Sequence, residues 1–196
     1  ETGHRESFVY IETPRIDARH RRDLLAELRR TLGDVRAAVN DWSAVQQAMR
    51  ADAERIANGE SGSGAAHDEA VALLHWLNDG MLTQLGHLTR RRDGTDDDAF
   101  GICRASAGEI LAETSYDRAF AWFDEGDRAG EMRPLLVIKA NRLSNVHRRV
   151  PLDLFIVPHR DNGRTEALSI HAGVWTSAAL ASPPQDVPIL RASLAR

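Results

Sequence analysis

The chain has 196 residues, 42% of them hydrophobic and 28% charged, and a net charge of −4. Such a length can bury a real core as one large domain or two small ones, and the composition is ordinary for a globular protein. The acidic balance gives no overall attraction to nucleic acid or to an anionic membrane, and no apolar run approaches the roughly 20 residues that cross a bilayer. Its one cysteine, Cys103, excludes an internal disulfide, which fits a reducing compartment. The opening Glu1-Thr2-Gly3-His4 shows neither an initiator Met nor a signal sequence. It reads as a chain cut from something longer, with residues 1–3 either native or a short cloning remnant.

Residues 6–12 (ESFVYIE) alternate as a short strand, with Phe8 and Tyr10 on one face and Val9 and Ile11 on the other. A lone strand cannot satisfy its backbone, so this one needs a sheet from elsewhere in the chain or from sequence outside it. Thr13-Pro14 ends it, and Asp17 offers an N-cap to a long helical pattern. Leu24, Leu28, Leu32, Val35, Val39 and Trp42 recur at spacings of 4, 4, 3, 4 and 3, which predicts the buried face of a helix. Asn40-Asp41 favours a break, and Ser43 begins a second helix carrying Val45, Met49 and Ile56. The spacing is compatible with a coiled-coil seam, but over so few heptads it predicts an amphipathic helical hairpin.

Residues 57–67 (ANGESGSGAAH) have the glycine and serine content of a flexible linker. A phosphate-binding loop would need a strand before them and a Lys with Ser or Thr after them, and neither is there. Residues 68–78 then predict a helix with Leu73, Leu74 and Leu77 inward and Gly80 near its end. From Met81 the period changes: MLTQLGHLTRRR alternates as a strand, RDGTDDD is a turn cluster, and FGIC is a second short strand. A short helix over 116–124 buries Ala119, Phe120 and Phe123. Three stronger strands follow at 135–140, 147–158 and 165–176, the last two joined by a hairpin in which Asn162-Gly163 suits a tight turn. A final helix spans 187–194. The order helix, two strands, helix, three strands, helix predicts an α+β domain with a mainly antiparallel sheet.

Eight histidines invite a metal hypothesis. His147, His159 and His171 fall on neighbouring predicted strands with Asp153 nearby, but without the spacings that place ligands together, so no metal site is expected. Cys103 reads as a small buried thiol, and no nucleophile elbow, dinucleotide fingerprint or zinc-protease motif occurs. Arg90–Arg92 facing Asp96–Asp98 across a turn reads as an ion-pair network on a solvated loop. The stretch 135–157 (LLVIKANRLSNVHRRVPLDLFIV) concentrates Lys139, Arg142, His147, Arg148 and Arg149 in an acidic chain. Those cations either cradle an anion or a neighbour's carboxylates, or form the wet end of a hairpin; charge alone favours the second.

That same stretch, followed by GVWTSAA and VPILRASL, resembles the N-terminal region of the large bacterial NAD-specific glutamate dehydrogenases. The likeness rests on Lys139-Ala140-Asn141, Ser144, Val146-His147-Arg148, Leu152-Asp153 and Thr176-Ser177. Upstream, ESFVYIE, DVRAAVNDW and LLHWLNDGMLTQLG are also similar to that family, so the resemblance runs in order along nearly the whole chain. Departures are MLTQLGHL in place of an aromatic-rich strand, with only Leu85-Gly86 retained, Trp175 for the usual Phe, and Pro151 where a strand-forming aromatic is common.

The resemblance implies a non-catalytic regulatory and assembly segment of a long subunit that converts glutamate and NAD to 2-oxoglutarate, ammonia and NADH. In that scheme residues 1–14 hold the last strand of an ACT-like domain, 15–57 are a helical connector, 58–66 a linker and 67–196 a PAS-like domain. No catalytic residue, no metal and no cofactor are expected in this segment, NAD belonging to the full-length enzyme. The expected partners are other domains and subunits of a homo-oligomer and a small-molecule effector, in the cytoplasm, with neither nucleic acid nor membrane. Lys139, Arg142, His147 and Arg148 are the expected anion or interdomain contact. The alternative is a stand-alone ACT- or PAS-like sensory module attached to another output domain.

Overall fold

A computed structural model describes residues 8–59, 62–105 and 110–194. Its centre is a five-stranded antiparallel sheet in the order β2-β1-β5-β4-β3. The strands are β1 (Leu82–Arg91), β2 (Asp96–Gly101), β3 (Leu136–Leu143), β4 (Pro151–Asp161) and β5 (Arg164–Trp175). The helices are α1 (Ala18–Ala57), α2 (Ala65–Trp76), α3 (Ile102–Ala105), α4 (Glu113–Ala129), α5 (Ser177–Ala181) and α6 (Leu190–Leu194). An α+β class with helices on a mainly antiparallel sheet is what the sequence predicts. The tight turn between β4 and β5 is where it was expected, with Asn162 at φ 50° and Gly163 at φ 78°.

Strand alternation separates two cores. Leu152, Leu154 and Ile156 of β4 and Leu168, Ile170, Ala172 and Val174 of β5 pack with Tyr116, Ala119, Phe120 and Phe123 of α4. On the opposite face, Phe155 and Val157 pack with Met49, Ala53 and Ile56 of α1 and Leu73 and Leu74 of α2. Trp175 closes that second core, its ring 5.5 Å from Phe155 and 6.0 Å from Trp76 between centroids. A bulge in β1 between Gln84 and Gly86 lets β2 end tightly against it. Gly101 sits there at φ 62°, and a Cβ on it would lie 2.1 Å from the Leu85 carbonyl oxygen, so only glycine fits.

The predicted helical hairpin is instead one continuous helix of 40 residues, about 60 Å long at 1.5 Å per residue. Asn40-Asp41 does not break it. The Asp41 carboxylate accepts the Gly101 amide at 2.8 Å and pairs with Arg104 at 3.1 Å. Engaged across the chain, it no longer competes for its own backbone. Val45, Met49 and Ile56 are buried as expected, but over the first half the inward face is not the predicted one: Asp34 and Ala38 are buried there, and Asp52 and Ala53 join the inward stripe further along. Leu28, Leu32, Val39 and Trp42 remain 45%, 64%, 63% and 56% exposed. Every residue from 18 to 30 is exposed, so the first third of α1 runs clear of the sheet.

Other local expectations shift. Residues 8–12 of the expected first strand pair with no strand and are exposed, while residues 6 and 7 lie outside the described residues. FGIC is the end of β2 followed by α3, which puts Cys103 on a short helix. His147 lies in the loop before β4, not within that strand, at φ 66°. The last helix shortens to Leu190–Leu194 after a single 3₁₀ turn. The Arg90–Asp96 and Arg91–Asp97 pairs do form, yet Arg90 is buried, its guanidinium 4.2 Å from the Tyr116 ring centroid. Arg92 donates to the Thr165 carbonyl oxygen and pairs with Asp124 at 2.8 Å. These arginines tie β1 to α4, which a solvated loop would not do.

Truncating the two candidate faces of α1 separates them. Met49→Ala should cost about 2–5 kcal/mol, as core methionine truncations do, and Leu28→Ala less than about 1 kcal/mol. Urea unfolding of the two variants measures both; equal losses would restore the predicted face.

Candidate functional site

On the sheet face that meets α1, the inward positions are not all apolar. The registers His87–His171, Thr89–Ser169 and Val157–Ser169 bring β1, β5 and β4 side by side. His87, Thr89, Ser169, His171 and His159 therefore project toward the helix, where Asp52 sits on the inward stripe of α1. The Asp52 carboxylate, 3% exposed, gathers four partners. The Ser169 hydroxyl donates to Oδ2, and His171 Nε2 lies 2.6 Å from the same oxygen. Arg55 Nη2 reaches Oδ1 at 2.5 Å, and His159 Nε2 lies 3.4 Å from it. His87 stacks between rings, 4.7 Å from His171 and 6.1 Å from Phe100 between centroids.

Burial alone would push the Asp52 carboxyl up. The side-chain contacts of His159 and His171, with the charges of His171 and Arg55, outweigh that and hold it well below the usual carboxylate range. His87 goes the other way for a base. Burial first, then the neighbouring His171, depresses it to about 3, so its imidazole is neutral at pH 7. Two ring nitrogens, His87 Nδ1 and His171 Nδ1, are buried without a hydrogen-bond partner. A cavity of about 350 Å³ opens above this floor, walled by Ala44, Gln47, Ala48 and Ala51 of α1.

The cluster is not a nucleophilic relay. Ser169 and Asp52 both approach Nε2 of His171, so the base has no second nitrogen held by the carboxylate while the first takes a proton from serine. Cys103 is fully buried and its thiol is pushed up to about 12 by burial, which leaves it protonated and unreactive. Among the described residues no three His, Cys, Asp or Glu side chains are arranged to hold a metal ion. Of the four residues weighed as ligands, His159 and His171 do come together, on Asp52, whereas Asp153 turns to Lys139.

The cations of 139–149 are divided. Lys139 Nζ is 2.6 Å from Asp153 Oδ1 on the neighbouring strand. Arg142 Nη2 is 3.3 Å from Asp34 Oδ2 of α1, which Asn145 also reaches at 3.2 Å. Arg148 donates to the Trp175 carbonyl oxygen, and Arg149 lies 3.7 Å from Glu27 Oε1. Lys139 and Arg142 border one cleft with Ser115 and Asn141; His147, which is exposed, and half-buried Arg148 border another with Glu27 and Thr31. Asp52, His87 and Ser169 did not emerge from sequence reasoning. One signal was available: Asp34, Asp41 and Asp52 are 7 and 11 residues apart, which puts all three on one helical stripe with Val45 and Met49.

No family model matches the chain. An NAD-specific glutamate dehydrogenase from Halomonas elongata aligns with it over 204 residues at 26% identity, covering 97% of this chain. The chain is similar, end to end, to part of a glutamate dehydrogenase. It spans only 12% of that relative's length. No described helix is long and apolar enough to cross a membrane.

The neutral buried imidazole sets a pH dependence. Between pH 6.5 and about 3 the unfolded chain protonates His87 and the folded chain does not. Its contribution to stability is therefore complete above pH 6.5 and falls by up to about 1.4 kcal/mol per pH unit as pH drops through that window. Asp52, depressed in the fold, loses its own contribution at still lower pH, below its unfolded value of 3.8. Urea unfolding at pH 7, 6, 5 and 4 should show a shallower decline for His87→Phe than for the parent.

Proposed function

We propose that this chain is a non-catalytic regulatory and assembly segment of a large NAD-dependent glutamate dehydrogenase, acting in the cytoplasm as part of a homo-oligomer. The observation that carries this reading is the collinear likeness to that enzyme over 97% of the chain but 12% of the relative. The likeness thus takes in a small part of a very long polypeptide. The architecture supports it: a five-stranded antiparallel sheet flanked by helices is what a PAS-like domain calls for, and α1 is long enough to act as a connector.

In this reading, residues 1–14 end an ACT-like domain, 15–57 connect, 58–66 link and 67–196 form the PAS-like domain. Lys139, Arg142, His147 and Arg148 belong to the contact between connector and domain. Arg142 on Asp34 and Arg149 on Glu27, both joining the β3–β4 region to α1, support that role. A polar cleft beside the sheet also supports a second reading, a sensory module joined to another output domain.

Two measurements test these readings. Titration calorimetry of the chain with NAD should show no stoichiometric binding, since no glycine fingerprint cradles a pyrophosphate; micromolar binding would overturn the non-catalytic role. Sequencing the reading frame beyond residue 196 should reveal a dinucleotide fingerprint far downstream. A kinase or other effector domain there would favour the sensory module instead.

A further inference from the structure

The first part of α1 carries an apolar stripe that no described residue covers. Leu25, Leu28, Leu32, Val35, Val39 and Trp42 follow one another at spacings of 3, 4, 3, 4 and 3, the a and d positions of a heptad repeat. The same register continues through Gln46 to Met49, Ala53 and Ile56, which are buried against the sheet and α2. One stripe therefore runs along most of the helix, and the molecule's own core takes up only its end. Ahead of that end the stripe is open: all of its side chains but Val35 are between 45% and 64% exposed. Every residue from 18 to 30 is exposed as well, so those turns have no buried face to hold them. A helix in water without a packed face is marginal, and side chains at a and d spacing supply that face to a second helix.

The flanks of the stripe select the partner and its direction. Arg22, Arg29 and Arg36, all exposed, occupy the e positions along one side, and Leu24, Thr31 and Ala38 the g positions along the other. In an antiparallel pair of α1 helices e faces e, and the register that overlaps the whole stripe sets Arg29 against Arg36 twice. In a parallel pair e faces g. Arg29 then lies opposite Leu24 of the second copy and Arg36 opposite Thr31, where arginine stems cover apolar surface and no like charges meet. The inward stripe of Asp34, Ala38 and Asp52 lies about a quarter-turn from the seam, so the two sheets fall on opposite sides of a parallel pair. Such a seam buries about 500 Å² on each copy, which reaches the roughly 1,000 Å² that a specific interface requires. Because α1 is already folded, pairing carries no cost of forming the helix.

We propose that two copies of this chain pair through residues 25–42 of α1 as a parallel, two-stranded coiled coil. Each a and d side chain meets its own equivalent, from Leu25 at one end to Trp42 where the helix enters the sheet. The inference rests on the homo-oligomer of the reading above and assigns that assembly one surface. Self-association that survives a change in the stripe overturns the surface and not the reading, and binding of NAD does the reverse.

Sedimentation equilibrium of the chain should show monomer and dimer in reversible exchange, with a Kd between about 1 and 100 µM, the strength of a small interface. Leu32→Glu sets two carboxylates face to face in the seam and should raise that Kd at least about a hundredfold. The far-UV spectrum of this variant should hold, because Leu32 is 64% exposed in the single copy. Oxidative cross-linking reads the direction. Leu25→Cys should form a disulfide between copies under oxidised glutathione, since a parallel pair brings position 25 against itself, while Cys103 is buried and stays out of the exchange. In the antiparallel pair position 25 faces position 42, and the two cysteines would stand about 26 Å apart at 1.5 Å per residue, too far to bridge. The proposal falls if the chain stays monomeric at about 1 mM, ~10 times the weakest expected Kd. It falls equally if Leu32→Glu associates like the parent, or if Leu25→Cys is dimeric and does not cross-link.

Discussion

The Asp52 carboxylate is the constraint around which the α1 side of the molecule is arranged. A carboxylate taken out of water must recover its hydration from fixed partners, or neutralise. Asp52 recovers it from β5 through Ser169 and His171, from β4 through His159, and from its own helix through Arg55. The three partners from the sheet sit on two strands and are fixed in register by the ladder, so the carboxylate has one depth and one orientation at which all of them reach it. That sets the rotation of α1 about its axis. Asp41 and Asp34, on the same stripe, then meet Gly101 with Arg104, and Arg142 with Asn145. The helix is seated by three carboxylates at three heights, with Val45, Met49 and Ile56 supplying apolar contact between and beyond them.

Seating by carboxylates accounts for two otherwise odd features of α1. Its leucines at 28 and 32 and its Trp42 are left to solvent, although their spacing would suit a packed face. The aspartate stripe lies elsewhere on the helix, and both cannot point at the sheet. It also leaves room: where the helix presents alanine instead of a long side chain, the polar floor of the sheet stays uncovered and a cleft remains. The opposite face of the sheet contrasts with this. There Tyr116, Phe120 and Phe123 interlock with leucines and isoleucines, and the buried Arg90 and half-buried Arg92 lie over the rings of Tyr116 and Phe120. One face is a dry core; the other combines a dry end with a polar, titratable one.

Legibility followed locality. The β4–β5 turn could be read because Asn162-Gly163 is a contiguous signal with a backbone cause. The burial of Phe120 and Phe123 on α4 follows from a period that a window of ten residues contains. The cluster on Asp52 could not be read in this way. Its members come from positions 52, 55, 87, 159, 169 and 171, and the Asp52–His171 contact spans 119 residues. The spacing of Asp34, Asp41 and Asp52 marks a stripe but not its partners, Ser169 carries no spacing motif, and the histidines taken singly resemble surface residues. Arg142, legible as part of a basic stretch, gave no hint that its partner would be Asp34, 108 residues earlier.

From residue order alone came the α+β class, the antiparallel character of the later strands, the tight β4–β5 turn and the apolar face of α4. Each depends on backbone preferences and on periods of 2 or 3.6 residues, which belong to the chain before it folds. Tertiary structure decided that α1 is one helix and which of its faces is buried. It also decided that the cations of 139–149 divide among internal partners, and that His171 and His159 meet a carboxylate. The physical reason is the same in each case. A polar side chain is driven out to water or accepted into the interior according to whether partners stand opposite it. Those partners are brought there only by the assembled sheet.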